Sequence, residues 1–95
     1  MDPKKQLGFL KQQTENIDLE IVLLLKRRLQ TQKRIFDVQV KNNLPIGTEE
    51  NDIDTMDIVS KKARDMDISD TFIHAIYSTI LDETQEMKKN FETKK

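Results

Sequence analysis

The stretch from Leu10 to Val38, LKQQTENIDLEIVLLLKRRLQTQKRIFDV, decides the fold. From Leu7 onward, Leu10, Thr14, Ile17, Ile21, Leu24, Arg28, Thr31, Ile35 and Val38 follow one another at intervals of three and four residues, which sets them along one face of a single very long helix. Arg28 is the odd member of that stripe. A guanidinium cannot be deprotonated, so on an inward face it needs a carboxylate from the protein, an anionic ligand, or water at the edge of a bundle. Asp18, Glu20 or an acid of the C-terminal helix would make it a structural ion pair, and a bound anion would make it a site.

Working outward, Asp2 is a candidate cap and Pro3 a favourable first-turn residue, so the helix starts near Pro3 to Lys5 and runs to about Lys41. At 1.5 Å per residue this rod is on the order of 50 Å long, more than a compact domain of this size would span. It must therefore be covered along its length. Asn42 to Gly47 form a break, because Pro45 disfavours helix at Leu44 and Gly47 relieves backbone strain. Thr48 reads as the cap of a second helix over about 49–64, with Glu49 and Glu50 at its positive end and Ile53, Met56, Ser60 and Ala63 on its inner face. After a second break at Arg64 to Ile68, Ser69 and Asp70 open a third helix to about residue 92, faced by Ile73, Tyr77, Ile80, Thr84, Met87 and Phe91.

The expectation is an all-α fold forming one domain over residues 1–95, one long helix plus two shorter ones per chain. The two short helices together match the long one in length. A second copy of the chain would complete an intertwined dimeric helical bundle. Composition agrees: 95 residues offer a marginal core for a monomer, and two glycines, two prolines and few aromatics favour helices over a sheet.

Sixteen basic and seventeen acidic residues nearly cancel, which leaves no electrostatic footprint for nucleic acid or an acidic membrane. The run Lys26, Arg27, Arg28 and the pair Lys33, Arg34 spread around the helix with acids between them, as solvated faces do. Without cysteine there is no disulfide, thiolate nucleophile or cysteine-type zinc site. His74 has no second histidine or cysteine at ligand spacing, and Asp65, Asp67 and Asp70 lack the glycine and terminal glutamate of a calcium loop. No metal and no cofactor is expected. A polar N-terminus with no apolar run after it points to a cytoplasmic protein.

Polar residues stand where leucine would be expected: Arg28 and Thr31 on the main stripe, Gln39 beside it, and Thr84 on the last helix with Lys88 one turn beyond. Each threonine alone reads as structural filler. Together, with Lys11 entering from a symmetry-related chain, cations and amide and hydroxyl donors describe a pocket for a small polyanion.

Leu10-Lys11-Gln12-Gln13-Thr14-Glu15-Asn16-Ile17-Asp18 and Ile21 to Arg28 resemble the opening Leu-Arg-x-x-Ile-x-x-Ile-Asp and the Ile-x-x-Leu-Leu-x-x-Arg of the small all-helical chorismate mutases. Pro45 and the acidic start of helix two fall at that family's spacing, and the resemblance covers nearly the whole chain without gaps. It implies a homodimeric isomerase that rearranges chorismate to prephenate in aromatic amino-acid biosynthesis, by conformer selection and electrostatic stabilisation.

By the same resemblance, Arg28 holds a substrate carboxylate, and Lys11 stands where the family has an arginine from the other subunit. Asp52 stands for a glutamate that contacts the ring hydroxyl, Thr48 for an aspartate or asparagine, and Thr84 for a serine or threonine. The departures are Asn51, for an arginine in many members, and Gln39, for the lysine that donates to the ether oxygen. The family's glutamine or glutamate opposite that lysine is here Lys88, so amide and ammonium are exchanged and the catalytic set becomes Lys88, Gln39 and Arg28. The alternatives are a mutase-like dimer that binds or regulates without chemistry, and a related pocket acting on isochorismate or aminochorismate.

Overall fold

Three helices in chain order make up a computed structural model that describes residues 2–47 and 49–93, without the side chains of residues 49, 50 and 93. They are α1 (Pro3–Lys41), α2 (Glu49–Asp65) and α3 (Asp70–Thr93), and no strand occurs among the described residues. The fold is all-α. No helix among them is long and apolar enough to cross a membrane.

The helix ends have local causes. Asp2 caps α1, its Oδ1 accepting the Lys4 N–H at 3.2 Å, and Ser69 caps α3, its Oγ accepting the Phe72 N–H at 3.4 Å. The cap expected at Thr48 lies outside the described residues. Helix α1 stops in a Schellman motif, with Asn43 left-handed at φ 54° and the Leu44 and Asn43 amides bonded to the Gln39 and Val40 carbonyls. The same device ends α2: Asp67 sits at φ 57°, and the Ile68 and Asp67 amides reach back to Ala63 and Arg64. The second break is thus Met66 to Ser69, since α2 continues through Arg64 and Asp65.

The chain divides into two compact units, Met1–Thr31 and Gln32–Lys95. In the second, α2 and α3 pack together, and Phe36, Ile46 and Phe91 form a core flanked by Val40 and Met87. Phe36 is 1% exposed and its ring meets that of Phe91 at 5.5 Å between centroids, tilted by 60°. Ser60, Ala63, Leu81 and Thr84 are also buried.

The first unit differs from the expectation drawn from its stripe. Leu10, Ile17, Ile21 and Leu24 are each about half exposed within the chain, at 48%, 53%, 49% and 56%. No described side chain of residues 2–31 is buried, and Arg28 alone reaches intermediate burial. Ile35 and Val38 are exposed as well, while Phe36, one residue off the stripe, is the buried side chain of α1. Ile53, expected on the inner face of α2, is also exposed.

Candidate functional site

The expected site residues fall into both units. Lys11 and Arg28 belong to the first, Lys11 exposed and Arg28 half-buried. They lie seventeen positions apart on one helix, so they stand about 25 Å apart along its axis. One chain therefore does not bring them together.

Gln39, Asp52, Thr84 and Lys88 belong to the second unit. Gln39 follows Phe36 by about one turn of α1, and Lys88 precedes Phe91 by about one turn of α3, so the contact between the two rings anchors both. Gly47 adopts φ +46°, and a β-carbon there would stand 3.3 Å from Cε1 of Phe36 and 3.5 Å from Cδ of Lys88. The lysine stem thus passes over the glycine beside the buried ring. The Lys88 side chain is 24% exposed, and its Nζ lies 3.7 Å from Oε1 of Glu92 on the following turn, a loose ion pair.

The polar atoms around this core differ in how they are satisfied. Oε1 of Gln39 is buried and accepts no hydrogen bond among the described residues. A buried amide oxygen without a donor carries a desolvation cost of about 1–3 kcal/mol, which a ligand N–H or O–H would relieve. Thr84, 5% exposed, donates from Oγ1 to the Ile80 carbonyl at 3.2 Å, the back-bond by which a helix accommodates an inward hydroxyl. Asp52, near the start of α2, accepts at Oδ2 a hydrogen bond from Nε2 of Gln85 at 2.7 Å. Thr48 lies outside the described residues.

Phe36 and Gln85 were not singled out from sequence. Phe36 has a partial signal, since Gln32, Phe36 and Val40 form a second row at four-residue spacing. Gln85 has none.

A separate cleft of about 450 Å3 lies between α2 and α3, lined by Asp57, Ser60, Lys61, Arg64, Asp70 and His74. It holds none of the expected site residues. Arg64 is already paired there with Asp70 at 3.4 Å. Among the described residues no group of three or more histidine, cysteine, aspartate or glutamate side chains is placed to hold a metal ion.

Among its described residues the chain is all-helical, with Arg28 half-buried in the first unit and Gln39, Asp52, Thr84 and Lys88 in the second. The family model for chorismate mutase type II matches residues 10–89, a span that contains every expected site residue from Lys11 to Lys88. The chain belongs to the chorismate mutase type II family. No curated protein and no solved structure matches it.

Proposed function

We propose that the protein is an isomerase converting chorismate to prephenate, working as an intertwined homodimer. The observation that carries this reading is the family match over residues 10–89, which embraces the whole candidate site. In the rearrangement one C–O bond breaks as one C–C bond forms within a single molecule, so no acid, base or nucleophile is needed. The pocket selects the compact reactive conformer and stabilises negative charge growing on the ether oxygen. Arg28 and Lys11 hold the two carboxylates, and Lys88 with Gln39 serves the oxygen. Asp52, Thr48 and Thr84 orient the ring and its substituents.

Two features support the dimer. Residues 2–31 carry a half-exposed apolar stripe with no buried described side chain, and burying each such leucine or isoleucine is worth about 1.5–3 kcal/mol. The separation of Lys11 from Arg28 on one helix lets a single pocket use both only if they come from different chains. The test is an assay of purified protein with chorismate, with Arg28→Ala as control. Loss of chorismate absorbance with prephenate as product supports the reading, and an unchanged spectrum at high enzyme concentration removes it.

A further inference from the structure

We infer that Gln85 is a positioning residue for Asp52, fixing the direction in which this carboxylate meets the ring hydroxyl of a chorismate-like substrate; the inference rests on the function proposed above. Its basis is the bond from Nε2 of Gln85 to Oδ2 of Asp52, 2.7 Å long and part-buried, joining α3 to the start of α2 across 33 residues. A hydrogen bond of this length to an ionised acceptor is at the strong end of its class. Aspartate is one methylene shorter than glutamate, so its reach toward a ligand tolerates less error in side-chain angle.

Gln85 removes that freedom. With Oδ2 committed to the amide, a ligand hydroxyl is directed to Oδ1, and the plane of the carboxylate is set by two elements rather than one. An amide also orients without cancelling charge, whereas a lysine or arginine in its place would neutralise the acceptor. Gln85 stands beside Thr84 in sequence and three residues before Lys88, at half-buried accessibility, so it belongs to the same stretch of α3 as those two site residues.

A bond serving only to staple α2 to α3 would affect the amount of folded protein and leave the KM of the folded fraction alone. A positioning bond shifts KM. Gln85→Leu removes the donor at similar volume and is expected to raise the KM for chorismate about tenfold at unchanged helicity, the size of effect that loss of one well-placed charged hydrogen bond produces. Asp52→Ala and the double variant should then show the same KM, because the leucine has nothing left to disturb.

Gln85→Glu supplies a second readout that does not depend on the leucine variant folding. It puts an acceptor where the donor stood at the same size, so its KM for chorismate should rise at least as far as that of Gln85→Leu. Unchanged KM in Gln85→Leu or in Gln85→Glu overturns the inference while leaving the enzyme reading intact. Wild-type protein that leaves chorismate untouched overturns both.

Discussion

Lys88 runs its aliphatic stem against Gly47, with Cδ 3.5 Å from where a β-carbon would stand, and the same point lies 3.3 Å from the Phe36 ring edge. The loop glycine therefore fixes both a candidate catalytic cation and the main core residue of its unit. Its φ of +46° adds a second demand, since a side chain at this angle is strained whatever space surrounds it.

Gly47→Ala is accordingly expected to destabilise the protein by about 1–2 kcal/mol, through left-handed strain and crowding against a ring that has no room to retreat. Urea unfolding followed by circular dichroism measures it. A midpoint equal to wild type would mean that the loop adopts another conformation.

Phe36→Ala should be far more damaging, about 3–5 kcal/mol, because a 1% exposed ring is removed from contact with Phe91 and its cavity adjoins Gly47, which has no side chain to fill it. Phe36→Leu should cost roughly half as much. Thermal unfolding of the two variants checks the order.

Lys88→Ala is expected to cut kcat/KM for chorismate by about 100-fold or more, the usual effect of deleting a donor to a developing oxyanion, with the helical spectrum unchanged. Lys88→Met, which keeps the stem over Gly47, should be equally inactive and more stable than Lys88→Ala. Turnover at the wild-type rate in either variant would end the proposed exchange of roles with Gln39.

Lys11→Ala and Arg28→Ala should each be inactive, and a mixture of the two allowed to exchange chains should regain activity. Random pairing leaves one intact site in each mixed dimer, or roughly a quarter of the wild-type sites. A mixture no more active than its components would show that the two residues do not serve one pocket from different chains.

The two left-handed stops give a prediction of opposite sign. Asp67→Gly and Asn43→Gly each relieve a positive φ of 57° and 54° and should stabilise by about 0.5–1 kcal/mol. Denaturation midpoints shifted upward, with activity retained, are the expected result.

Sequence made the helices legible because their ends carry local chemistry. Asp2 and Ser69 hold the amides that their caps predict. Burial was less legible. The three-and-four stripe of α1 identifies a face to be covered, but one chain leaves Leu10 through Leu24 half exposed, and the buried position is Phe36, outside that stripe. Thr84 lies at the inward position its spacing indicated. The Asp52–Gln85 bond was beyond reach, since no periodicity relates residues 33 positions apart on different helices. The same holds for the orphan oxygen of Gln39, which depends on what surrounds it in space.

The segment of α1 before Gln32 has a consequence for how the protein behaves on dilution. With no buried side chain among its described residues, that rod lacks the packed apolar face from which most helical stability in proteins comes. Its order is then borrowed from whatever shields Ile17, Ile21 and Leu24, so circular dichroism measured from micromolar down to nanomolar protein should report fraying of the N-terminal turns well before the Phe36–Phe91 region melts.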